Sequence, residues 1–278
     1  AVNELLHNMM AREELREYLN PIYDLERLNT RIVYQTANPR DLLAFKNSVA
    51  MLPAIKTVLA DFKSKNLVEL SENIDSLSDI CADIDAAICE EPPISSRDGG
   101  ILKDGYNEEV DRLRKAKTEG KKWLAELEAK ERERTGIKNL KIKYNKVFGY
   151  YLEVTNSYKD LVPADYQRKQ TLANAERFFT PELKELEDTI LGAEDKLISL
   201  EYELFRQLRN RIASEVSRIQ TTAKAIARLD VYASLAYVAE KNHYCRPKIN
   251  TRGLIDIKGG RHPVVEQMMD QQFFIDND

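Results

Sequence analysis

Three histidines, three cysteines and ten glycines in 278 residues leave little material for most site chemistry. Cys81, Cys89 and Cys245 form no C-x-x-C pair, so they read as reduced thiols of a cytoplasmic protein and not as zinc ligands. His7, His243 and His262 have no partner at ligand spacing, and no H-E-x-x-H or G-x-S-x-G string occurs. No G-x-x-x-x-G-K-[ST] loop is present to cradle a phosphate. The expectation is a chain with no catalytic residues, no metal site and no cofactor of its own. No run of eighteen consecutive apolar residues exists, and the first eleven residues lack the basic and apolar blocks of a signal peptide, so no membrane association is expected. Scarce glycine and only nine prolines disfavour an all-β fold.

What the chain does have is charge and helical spacing. Charged residues make up 32% of it and hydrophobic ones 43%, the balance of long helices with solvated faces around a buried core. The net charge is −4 but unevenly spread: Lys138 to Lys184 holds nine basic and five acidic residues, a local +4 against −8 elsewhere. Such a patch attracts a polyanion or simply faces water. Carboxylate pairs such as Glu13 with Glu17, or Glu108 with Asp111, fall on charged helix faces and read as solvated surface.

Residues 1 to about 90 show helical spacing broken by prolines, with Asn38 as a helix cap and Pro39 at the first helical position. After a Pro, Ser and Gly-rich loop, Glu90 to Gly100, Asn107 caps a long helix that carries Val110, Leu113, Trp123, Leu124 and Leu127 and stops at Gly136. "KIKYNKVFGYYLEV", Lys141 to Val154, then alternates with period two and reads as a hairpin, and Arg168 to Phe179 offers a third strand. Helix resumes at Thr180-Pro181, with apolar positions three or four apart to Leu229; unbroken to Ala239 it would run about 85 Å, with Gly192 and Asn210 as places to bend. Helix out, sheet, helix back puts the sheet at the end of an arm. The fold expected is mainly α: a multi-helix bundle with two long antiparallel helices carrying a small inserted antiparallel β unit. Tyr144, Tyr150 and Tyr151 read as that unit's core rather than as a base-stacking platform.

The arm's tip carries the residue types that bind phosphates: Lys and Arg for charge, and Asn, Gln, Ser, Thr and Tyr for hydrogen bonds, in "NSYKD" and "QRKQTLAN". Basic residues alternating on a strand also serve simply as solvated edges. A helical scaffold whose sheet-tipped arm docks a protein or structured RNA is the alternative.

Several collinear strings, "YDLERLNTRI", "ANPRDLLAFKNSVAMLP", "RDGGILKDGYNEEVDRLR", "ERERTGIKNLKIKYNKVFGYYLEV", "RKQTLANAERFFTPELKELE" and "GGRHPVVEQ", resemble the core, lever and clamp regions of the bacterial MutS family. The resemblance implies a discontinuous helical core and lever domain at 1–137 and 181–250, a β-rich clamp at 138–180 and the truncated opening of an ATPase domain at 251–278. It implies a clamp that grips double-stranded DNA without reading sequence, in a homodimer when full-length. The polar and basic members of the matching strings, Asn156, Ser157, Tyr158, Lys159, Arg168, Lys169, Gln170, Thr171 and Asn174, become DNA-backbone candidates. Phe274 matches an aromatic that packs on the adenine of ATP, with Mg, in full-length members; Phe273 stands where members often have proline. The mismatch-binding and connector domains are missing and no Walker A loop is reached, so this chain resembles a fragment with no ATPase activity of its own.

Overall fold

The computed structural model describes residues 1–269 and 274–277; Phe273 lies outside them. Seven short helices open the chain: α1 (Val2–His7), α2 (Met9–Leu19), α3 (Leu25–Val33), α4 (Pro39–Val49), α5 (Leu52–Leu59), α6 (Lys65–Asn73) and α7 (Ser78–Ala87). Asn38 caps α4 in a full capping box, its side chain accepting from the Asp41 N–H while Asp41 accepts from the Asn38 N–H, with Pro39 in the first turn. The most apolar stretch, Pro39–Leu59, reaches a mean hydropathy of 1.3, yet it is two helices parted at Ala50 and Met51. Their Leu42, Phe45, Val49, Leu52, Ile55 and Leu59 side chains are buried in the bundle core.

The long elements follow: α8 (Glu108–Thr135), four strands, then α9 (Pro181–Ser214) and α10 (Val216–Lys241). Asn107 caps α8 by accepting from the Glu109 and Val110 N–H groups, and Gly136 ends it at φ +70, a left-handed conformation that glycine adopts without penalty. Thr180 caps α9 by accepting from Leu183 N–H, with Pro181 behind it. At 1.5 Å per residue α8 is about 42 Å long and α9 about 51 Å. Both helices leave the bundle side by side, and α10 returns through the bundle against α1, α2, α3 and α6.

One expectation about these helices is corrected. The chain does not bend at Gly192 or Asn210, which lie inside α9; it breaks at Glu215, between α9 and α10. There the Ser214 hydroxyl donates back to the Arg211 carbonyl, and Arg218 draws Glu215, Asp75 and Asp79 together. Trp123, one of the apolar positions of α8, is 39% exposed at the rim of a groove that it lines with Leu186 and Thr189 of α9. Gly120 lies in the seam itself, because a Cβ there would stand 2.4 Å from Ile190 Cγ1. The helices approach that closely only where one residue has no side chain.

The root of the arm is tied by Glu201 on α9, which is fully buried. Its carboxylate accepts from the Gly100 and Ile101 N–H groups and from Arg114 Nη2 at 2.8 Å, joining the loop before α8, α8 itself and α9. Lys117 to Glu194 at 2.6 Å and Lys130 to Glu182 at 3.0 Å bridge the two helices further out.

Gly120→Ala is expected to destabilise the chain by about 1–2 kcal/mol net, overpacking against Ile190 outweighing the gain in helix propensity. In an Ile190→Ala background the same change becomes neutral or stabilising; urea unfolding of the four chains checks this. A second expectation concerns pH. Hydrogen bonds from Arg218 hold Asp75 and Asp79 below the usual carboxylate range. A carboxylate lowered on folding contributes stability above its unfolded pKa of about 4, and loses it as the pH falls through the folded value. Arg218→Ala therefore lowers Tm at neutral pH, and its gap to the parent chain closes as thermal scans move below about pH 4.

Candidate nucleic-acid interface

Strands β1 (Lys141–Asn145), β2 (Gly149–Thr155), β3 (Gln167–Thr171) and β4 (Ala175–Phe179) form one antiparallel sheet in the order β1-β2-β4-β3. The region expected to add one strand adds two. Cross-strand pairs Ile142 with Leu152 and Leu152 with Phe178 place these side chains on one face. That face packs with Leu140, Val154 and Tyr166 onto Leu124, Leu127, Leu183 and Ile190 of the helices. The sheet's core is thus shared with the ends of α8 and α9. Of the three tyrosines expected inside, Tyr151 is buried and Tyr150 half-buried, whereas Tyr144 is exposed and stacks on Tyr150 with ring centres 5.0 Å apart. Tyr144 lies beside the hairpin turn on β1, an edge strand of the sheet.

Carboxylates of the helices fix the sheet's pose. Ile142 N–H donates to Glu128 at 2.7 Å, and Arg132, held by Glu128, donates to the Leu140 carbonyl. On the α9 side Tyr150 N–H donates to buried Glu187 at 3.2 Å. Gly149, at φ +71, leaves room for that carboxylate, since a Cβ would stand 2.2 Å from Glu187 Oε1. Buried Glu131 accepts from Tyr166 Oη at 2.7 Å and from Arg134 at 2.8 Å. Burial, and then this hydrogen bond, push the Tyr166 phenol above its usual range.

The Gly149 end of the sheet lies back along α9, two turns inside the helix, so the opposite end, Thr155 with Ala175, points away from the bundle. Asn156 follows Thr155 there and opens a short 3-10 segment, Asn156–Leu161. Its backbone N–H donates to the Asn174 carbonyl and its side chain to the Ala173 carbonyl, joining two loops that lie far apart in sequence. Six of the expected DNA-backbone candidates are exposed: Asn156, Ser157, Lys159, Arg168, Thr171 and Asn174. The other three are half-buried. Tyr158 packs on the tip's core, Gln170 accepts from Arg177 at 2.8 Å, and Lys169 donates to the Phe148 carbonyl with its ammonium 5.4 Å from the Phe179 ring centre. Lys169 is the unpaired residue where the β3 to β4 register shifts between Arg168 and Gln170. Three further tip lysines, Lys138, Lys141 and Lys146, are exposed with no ion pair among the described residues. They were legible only as part of a charge count.

Glu176 was counted in the same way and turns out to be buried. Its register partners are Val154 and Thr171, and its carboxylate lies 3.3 Å from Lys159 Nζ and 3.1 Å from Arg168 Nε. Alternation with Phe178 was the signal that placed it on the core face.

Residues 105–196, which hold α8, the sheet and the start of α9, match the MutS family domain IV model. The whole chain is 63% identical to the DNA mismatch repair protein MutS of Lachnoclostridium phytofermentans. The chain belongs to the MutS family. It is 53% identical over its full length to the MutS of Acetivibrio thermocellus, and 56% identical over 273 residues to that of Caldanaerobacter subterraneus subsp. tengcongensis. The chain spans about 30% of the length of these curated relatives: 30%, 32% and 31% in turn.

Towards its end the chain carries a short helix, α11 (Pro263–Met268), which His262 caps by accepting from Val265 N–H at 3.2 Å. Phe274 is half-buried beside the bridge between Gly260 and Asn277. An aromatic face alone does not fit an ATP site: no glycine-rich phosphate loop ending in Lys and Ser or Thr accompanies it in the sequence, and among the described residues no cluster of three or more His, Cys, Asp or Glu is placed to hold a metal ion.

Tyr166→Phe removes the hydroxyl donor to buried Glu131 and is expected to cost about 1–2 kcal/mol. The loss should be local: hydrogen exchange speeds up at β3 and β4 amides while bundle amides keep their protection.

Proposed function

We propose that residues 138–180 are a clamp that holds the backbone of double-stranded DNA without reading its sequence, within a mismatch repair protein of the cytoplasm. The observation that carries this reading is the convergence of Asn156, Ser157, Thr171 and Asn174 with Lys159 and Arg168 at the far end of a braced arm. Amide and hydroxyl groups hydrogen-bond phosphate oxygens while cations displace condensed counterions, and neither distinguishes one base pair from another. Apart from Leu161 the distal loops project mostly polar side chains, which favours DNA over the docking of a protein. The names of the 53–63% identical relatives, each a DNA mismatch repair protein, support the same assignment.

On this reading α8 and α9 act as levers. Glu201 at the root and Glu128, Glu131 and Glu187 at the tip couple the sheet's pose to the bundle, so occupancy of the clamp is passed along the helices. In the complete protein the receiving part is an ATPase domain using ATP and Mg, and a second subunit closes around the duplex. The 278-residue chain by itself binds DNA and performs no catalysis.

The test is anisotropy of a labelled duplex with the 278-residue chain. Matched and mismatched duplexes bind equally and weakly at low salt, and binding fades as salt is added. Lys159→Ala with Arg168→Ala is expected to weaken binding about tenfold and to shrink the salt slope by roughly 1–2, with circular dichroism unchanged. A clear mismatch preference in this chain, or binding indifferent to that double change, sinks the proposal.

A further inference from the structure

A carboxylate has no evident business on the core face of the sheet. Glu176 is 4% exposed, and Val154, Val162 and Phe178 share the small cavity that it lines. Replacing a buried ion pair with apolar side chains is often neutral or stabilising, so stability alone gives no reason to keep one here. Among the described residues its ion-pair partners are Lys159, on the 3-10 segment, and Arg168, on edge strand β3. Each of these side chains is 55% exposed while that of Glu176 is 5% exposed. Glu176 Oε2 has no aligned hydrogen bond, although Arg168 Nε stands at 3.1 Å. The carboxylate is held by ion contacts from two separate elements and by little else.

We propose that Glu176 is a positioning residue that sets Lys159 and Arg168 as a two-cation clasp for one phosphodiester of the DNA backbone. The proposal rests on the DNA-clamp reading above and adds a residue that does not itself touch DNA. Two cations that would repel each other are brought to the two oxygens of one carboxylate, 3.3 and 3.1 Å away. They do not abandon it for a phosphate, because departure would strand a buried charge. They bind outward instead. Arg168 faces Glu176 with Nε and keeps its Nη donors, and Lys159 keeps donors of its own three, so the outer side of the triad carries net +1 with its side chains already ordered. Ordering two long side chains in advance removes a cost that binding would otherwise bear.

The sign of one substitution separates this from a plain charge count. Glu176→Gln removes a negative charge from a DNA-binding tip, so simple electrostatics expects tighter binding, whereas loss of positioning expects binding about tenfold weaker. The measurement is anisotropy of a fluorescein-labelled random-sequence duplex at low salt with the 278-residue chain and its E176Q, K159A and E176Q/K159A variants. Weaker binding by E176Q, with little further loss on adding K159A, is the expected result. E176Q binding as tightly as the parent chain, or more tightly, overturns the proposal while leaving the DNA-clamp reading intact; no binding by the parent chain overturns both. If E176Q does not keep the parent circular dichroism, K159A, R168A and their double variant decide. Losses that fall short of multiplying support one shared phosphate, and losses that multiply overturn the clasp.

Discussion

Among the described residues four glutamates are buried, Glu131, Glu176, Glu187 and Glu201, and all four stand in the arm. A pair of helices is too thin to bury a core of its own, so its alignment has to come from contacts that are few and directional. Buried carboxylates meet that need. Desolvation makes an unpartnered one costly, and each therefore enforces its set of donors. Glu201 gathers a loop and both helices at the root; Glu187 and Glu131 gather the strands at the tip. Without these anchors the sheet would keep its hydrogen bonds and lose its direction.

The two apolar clusters show how the work is divided. The bundle's core draws on α1 to α7, the inner part of α9 and α10, with side chains interlocked as in any globular domain. The tip's cluster is smaller and mixes strand residues with Leu124, Leu127, Leu183 and Ile190 from the helices. Sheet and helix ends therefore stand or fall together as one cooperative unit, apart from the bundle. From the far-end loop Tyr158 and Val162 pack on that core, while Ser157, Thr171 and Asn174 stay exposed.

Much of the architecture was legible because its punctuation is local. Asn107, Gly136 and Thr180-Pro181 act through their own backbone and nearest turn, so the ends of α8 and the start of α9 could be read in one dimension. The break at Glu215 was not legible. It depends on Arg218 meeting Asp75 and Asp79, more than a hundred residues away, while glycine and asparagine within α9 merely permit a bend that nothing demands. Trp123 shares the apolar spacing of α8, but close approach at Gly120 rewards the residue with no side chain. At the candidate site, composition identified the chemical types and could not assign their partners. Lys169 turned inward with the bulge, and Glu176 passed for an ordinary surface charge because a count of charges carries no register.

The close contact at Gly120 and the cross-links from Lys117 and Lys130 have a mechanical consequence. Two rods that slide freely past each other bend as easily as either alone, but rods keyed against sliding behave as one plank. Gly120 against Ile190, with Lys117 to Glu194 and Lys130 to Glu182 along the same seam, are such keys. Such keys resist bending in the plane that contains both helix axes more than bending across it.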